Sequence, residues 1–256
     1  MTGAVLAIAT NTVRDALRNR VLYILVFFSL VMIGTSTALS TLSYVERTRI
    51  LQDVGFAAIR FFGAAIAIFM GVGLIHREVE RRTIYTILSK PVTRAQFMAG
   101  KYLGLVATLW LQLAIMMAAF AGVSLASNAE LGVGHAIALG LVALELALVV
   151  AFATLFSSFA TPFLAACYSV GLYLVGHLTR DLRALGASAH SNAVEDVTLW
   201  IHRLFPDLSA LDRSIEAVHG LAIPPAEIGW AVLMGVAWCL GFLLVAVVVF
   251  ERRDFR

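Results

Sequence analysis

The chain has 256 residues, 61% of them hydrophobic and only 14% charged, with a mean hydropathy of +0.90. A soluble domain carries about a quarter charged residues, so this composition excludes an ordinary soluble protein and points to one membrane domain over residues 1–256. The net charge of +3 says little by its size and much by its distribution.

Near the N-terminus, Asn11, Arg14, Asp15 and Arg18 recur at helical spacing, with Leu6, Ala9, Val13 and Leu17 on the other side. This pattern predicts an amphipathic helix lying at the membrane surface, its basic face toward anionic lipid or a partner. Six apolar segments then follow, at about 21–42, 54–75, 102–124, 136–158, 162–179 and 228–250. Each approaches the roughly 20 residues that cross the hydrocarbon core at 1.5 Å per residue. The first has an alternative reading as a signal peptide, with Thr37-Ala38-Leu39 near a cleavage site. Its length, and the helix pattern before it, favour a span.

Six spans place both termini on one side. That side, with the 76–101 loop, holds twelve Lys and Arg against five acids; the opposite loops hold six against ten. The basic side is expected to be cytoplasmic, which puts the chain in the inner (plasma) membrane with 180–227 outside. Within 180–227, Val194, Val197, Ile201, Leu204 and Phe205 make a helical stripe that Pro206-Asp207 ends. The expectation is a short helix resting apolar face down on the membrane or on the spans, and offering a surface to a periplasmic partner.

Two charges fall inside spans, Arg60 in the second and Glu145 in the fourth. With the spans bounded as above, their depths differ by roughly 6 Å, within reach of a pair. Intramembrane charge is costly and is usually paired or faces a cavity. One reading has Arg60 snorkelling outward and Glu145 protonated in a packed helix interface; the other has Arg60 and Glu145 pairing or lining the substrate path. Five of the six histidines, His135, His177, His190, His202 and His219, fall toward the outer side, without the tight spacing of a metal site. Cys167 and Cys239 lie in apolar spans and read as small buried hydrophobes. No metal, directly bound cofactor or nucleic-acid partner is expected.

The stretch 76–104 is a charged, helix-patterned island between the second and third spans. Glu78 and Arg82 sit at i and i+4 in the favourable order. Ile84, Ile87 and Leu88 form a small apolar face beside Tyr85. Pro91 breaks the helix, and Thr93 with Gln96 fits a capping box that starts the next one. The order Glu78, Glu80, Arg81, Arg82, Thr83, then Ser89-Lys90-Pro91, Thr93-Arg94 and Gly100-Lys101 resembles the signature of ABC-2-type permeases, the membrane subunits of a class of ABC exporters. Arg82 stands where that pattern often has Gly.

The resemblance implies an all-α integral membrane protein of six transmembrane helices, with an N-terminal surface helix and a cytoplasmic coupling helix. It further implies an ABC ATPase subunit as partner, ATP and Mg held by that subunit, and a second permease copy in a homodimer or heterodimer. The ATPase-coupling residues would be Glu78, Glu80, Arg81, Arg82, Thr83, Tyr85, Pro91, Arg94 and Lys101. The chain itself has no Gly-x-x-x-x-Gly-Lys-Ser/Thr phosphate loop. Two rivals stay open: a secondary transporter with Glu145 as its proton site, and a non-transporting anchor that passes ATPase motion to a periplasmic partner through 180–227.

Overall fold

A computed structural model describes residues 2–40, 46–80, 93–188, 196–198, 200 and 204–252. Eight α-helices account for most of them: α1 (Thr2–Leu17), α2 (Arg20–Ser40), α3 (Arg47–Glu80), α4 (Arg94–Ala126), α5 (Val133–Phe159), α6 (Pro162–Ser188), α7 (Ser214–Val218) and α8 (Pro225–Arg252). A 3-10 turn spans Leu208–Leu211, and there is no strand among the described residues. Six of the helices, α2, α3, α4, α5, α6 and α8, are long and apolar enough to cross a membrane. Their outer faces carry Phe27, Phe28, Leu111, Leu174, Leu233 and Leu244 exposed, the surface expected where lipid replaces water as solvent.

The core is built around α5, whose residues Leu146 to Ala153 are almost wholly buried. On one side α3 packs against it through small residues. A Cβ on Gly63 would come within 2.6 Å of Leu146, and one on Gly71 within 2.6 Å of the Ala153 Cβ, so glycine is what lets these helices approach. Ser157 Oγ donates to the Val72 carbonyl at 2.8 Å across the same contact. On the α4 side, Tyr102 Oη donates to the Ala147 carbonyl (3.1 Å) and Trp110 Nε1 to the Ala143 carbonyl (3.0 Å). Each of these polar groups finds a partner without leaving an apolar environment.

The helix ends follow local chemistry. Thr93 and Gln96 form the anticipated capping box, Gln96 N–H to Thr93 Oγ1 at 3.2 Å and Thr93 N–H to Gln96 Oε1 at 3.3 Å. Only Ala160 and Thr161 separate α5 from α6, and Pro162 opens α6 where its missing N–H costs nothing. α3 starts at Arg47, seven residues before the expected start of the second span, and α6 runs nine residues past the expected end of the fifth. Apolar runs mark what lipid covers; they do not mark where backbone hydrogen bonding stops, so charged turns extended both helices beyond them.

α1 is helical as expected, and its contacts with the bundle centre beside the anticipated apolar stripe. Val5, Ile8, Thr12 and Ala16 turn to the protein, with Thr12 and Ala16 buried; of the stripe, Ala9, Val13 and Leu17 are half-buried and Leu6 is 71% exposed. The cause lies on α4. Gly104 has no Cβ, and one there would meet the Ala9 carbonyl and Thr12 Cβ at 2.6 Å. α1 therefore docks backbone to backbone on the start of α4, and Arg14, Asp15 and Arg18 stay exposed.

Beyond α6, Val197, Trp200 and Leu204 are exposed, and Phe205 packs against the core. Val194 and Ile201 of the predicted stripe lie outside the described residues. The chain then folds back onto the bundle: Leu208 and Leu211 are fully buried, Leu208 filling the space that Gly176 on α6 leaves open. This end of the bundle is called the Asp212 end, and the one carrying α1, Arg94 and the C-terminus of α8 the Arg94 end.

Candidate functional site

Four elements meet around one guanidinium near the Asp212 end. Arg60 lies thirteen residues into α3 and Glu145 twelve residues into α5, so the early start of α3 brings them to nearly equal depth. Arg60 Nε stands 3.5 Å from Glu145 Oε2. Arg60 Nη1 pairs with Asp212 Oδ2, and Arg60 Nη2 meets His177 Nε2 on α6. Glu145 Oε1 is 3.2 Å from the same His177 Nε2, and the Glu145 side chain is wholly buried. Arg60 thus turns inward and does not snorkel; two carboxylates attract it more strongly in this low-dielectric setting than distant water does.

Asp212 is set in place by its own loop. The Leu208–Leu211 turn is capped by Asp207, whose Oδ1 accepts from Ala210 N–H (3.3 Å), Ser209 Oγ (2.5 Å) and Thr179 Oγ1 of α6 (3.2 Å). One residue past that turn, Asp212 Oδ1 accepts from Ser214 N–H (3.1 Å) and Ser214 Oγ (2.6 Å), leaving Oδ2 for Arg60. Burial pushes the Asp212 carboxyl up, but the Arg60 guanidinium and the Ser214 hydrogen bonds outweigh it and hold the group below its ordinary value. Arg213 then ties the segment to α8 through Glu227 at 2.9 Å and to Glu216 at 2.8 Å.

His177 decides how the cluster is held. Its Nδ1 faces the Tyr173 carbonyl at 3.0 Å. A guanidinium can only donate, so contact between Arg60 and Nε2 needs a neutral imidazole with its proton on Nδ1. Contact with Glu145 at the same nitrogen needs a proton there instead. The two cannot be satisfied together, and the imidazole acts as a two-position link between α3 and α5. Among the described residues, neither Glu145 oxygen nor Arg60 Nε has a partner at hydrogen-bond geometry, so Coulombic attraction holds this part of the cluster. The arrangement fastens three spans and the 205–214 segment together through groups that a proton or a small shift can separate.

Of the residues that the sequence singled out, the structure brings Arg60 and Glu145 together. Arg94 and Lys101 lie at the opposite end of the bundle, on the first turns of α4. Glu78 and Glu80 belong to the last turns of α3, their side chains outside the described set, and Arg81, Arg82, Thr83, Tyr85 and Pro91 lie outside the described residues. Sequence reasoning missed Asp212 and His177 as partners of Arg60. A signal for Asp212 was present: Leu208 and Leu211 are spaced to bury on one side of a short turn, with an acid at each end and Ser214 positioned to orient the second. His177 had only its place near one end of an apolar span.

A model of the family described as ABC-2 family transporter protein matches residues 6–255. No curated protein matches the chain.

Proposed function

The chain belongs to the ABC-2 transporter family, and from that premise we propose that it is the permease subunit of an ATP-driven export complex. Two permease copies, identical or similar, would enclose the path, and separate ATPase subunits would hold ATP and Mg. The observation that carries the reading is a family match over nearly the whole chain, on a multi-pass bundle with six helices able to cross a membrane. The charge distribution supports a cytoplasmic Arg94 end, both termini included, in the inner membrane. The 76–101 region, in which the sequence reads a coupling helix at 77–88, would then face the ATPase.

In this setting the Arg60 cluster is an outer latch. Closed, it holds α3, α5 and α6 under the 205–214 segment; outward opening would require those contacts to separate. Pairing of Glu145 with Arg60 favours this role over a free proton-carrying carboxyl, which weakens the secondary-transporter reading.

The test is affinity purification of the full chain from its native membrane, followed by mass spectrometry. An ATPase subunit with a phosphate loop is expected in stoichiometric amount. Glu78→Ala and Tyr85→Ala are expected to lower its co-purification and the permease-dependent ATPase rate while leaving insertion intact, since both residues lie beyond the apolar run of the second span. A native complex with no ATPase, and none that can be reconstituted, would remove the proposal.

A further inference from the structure

A backbone carbonyl has two lone pairs and can accept a hydrogen bond from a side chain as well as from its own helix. Near the last described residue of α8, two carbonyls are met from another span. Arg94 Nη1 receives both, donating to the Phe250 carbonyl at 3.1 Å and the Glu251 carbonyl at 3.0 Å. The contact continues into the bundle as a stack. The Arg94 guanidinium carbon lies 6.0 Å from the Phe250 ring centroid, Phe250 stacks on Phe97 at 6.2 Å with 21° between planes, and Lys101 Nζ lies 5.7 Å from the Phe97 centroid. Phe97 and Phe250 are both buried. A residue that reads in sequence as part of a partner-facing motif therefore turns its Nη1 donors to a helix 156 and 157 positions away in the same chain.

We infer that Arg94 is a positioning residue that staples the last described turn of α8 to the first turn of α4, making one body of the last span and α4. A displacement of α4 then moves α8 with it. Arg94 serves coupling from inside the permease and does not itself dock the ATPase. The staple stands on this chain's geometry alone; its consequence for coupling rests on the export-complex reading.

Amide hydrogen exchange of the full chain in lipid nanodiscs tests the staple without any ATPase. Arg94→Gln is expected to speed exchange over residues 247–252 about tenfold, the effect of losing charge-assisted bonds at a helix end. Arg94→Lys should restore part of the protection, because an ammonium keeps the charge but lacks the planar fork. Unchanged exchange in Arg94→Gln overturns the inference. Should that variant also lose protection in α5, Arg94→Lys decides: an intermediate loss confined to 247–252 supports the staple, and wild-type exchange there overturns it. In the complex, Arg94→Gln should retain the ATPase on co-purification yet lower permease-dependent ATP hydrolysis, with partial rescue by Lys. Loss of the ATPase with unaltered exchange makes Arg94 a docking residue and overturns the assignment. Failure to find any ATPase would remove the export reading and leave the exchange result standing.

Discussion

The cluster around Arg60 makes an asymmetric prediction about charge removal. Arg60 has two acidic partners, whereas Glu145 and Asp212 share one guanidinium. Arg60→Gln takes the guanidinium from both carboxylates, one of them with no exposure. Breaking a buried pair so that a charge is left behind costs about 3–5 kcal/mol, and the second acid places this variant toward the upper part of that range. Glu145→Gln leaves Arg60 with Asp212, so its cost should be nearer the roughly 1–2 kcal/mol of a lost polar partner. In the double variant the stranded carboxylate is gone, and the loss should fall short of the sum by about 1–3 kcal/mol. Unfolding free energies measured by denaturant titration in a defined detergent–lipid mixture would read all three. Equal costs for the two single variants, or additivity in the double, would refute the shared-guanidinium arrangement. A more stable Glu145→Gln would show a passive, protonated acid instead.

Three further outcomes follow from the same structure. Gly104→Val places a branched side chain where even a Cβ would sit 2.6 Å from the Ala9 carbonyl, so α1 should lift from α4 at a cost of about 1–3 kcal/mol; increased protease access to residues 2–17 checks it, and wild-type resistance contradicts it. Because Asp212 is held below its ordinary value of 3.8, its contribution is complete above that pH and disappears as pH falls through the lowered folded value. Bundle stability should therefore show no Asp212-dependent change between about pH 5 and pH 8, and an acid loss that Asp212→Asn abolishes. With cysteines introduced singly into a cysteine-free background, an impermeant thiol reagent applied from outside should label position 195 and spare position 90; the reverse pattern would invert the topology.

The fold class was legible in the sequence because lipid imposes a length and a polarity on every segment that crosses it, and those are properties of consecutive residues. The start of α4 was legible for a similar reason, since Thr93 and Gln96 cap within one turn. The centre of the α1 contact was not. Amphipathic spacing says which side of a helix is apolar, but Gly104, ninety-two positions after Thr12, determines which side can come closest.

The cluster divides in the same way. That Arg60 and Glu145 need partners follows from their place in apolar runs, and the sequence alone establishes that. That Asp212 and His177 join them required a turn after α6 to fold back, bury Leu208 and Leu211, and aim a carboxylate at a guanidinium 152 residues earlier in the chain. Arg94 shows the limit most plainly. Its motif suggested a role toward another protein, while its Nη1 went to two α8 carbonyls, because a guanidinium donates to whatever acceptors packing brings beside it. Local chemistry is written in neighbouring residues; which buried charge meets which is decided only when the helices pack.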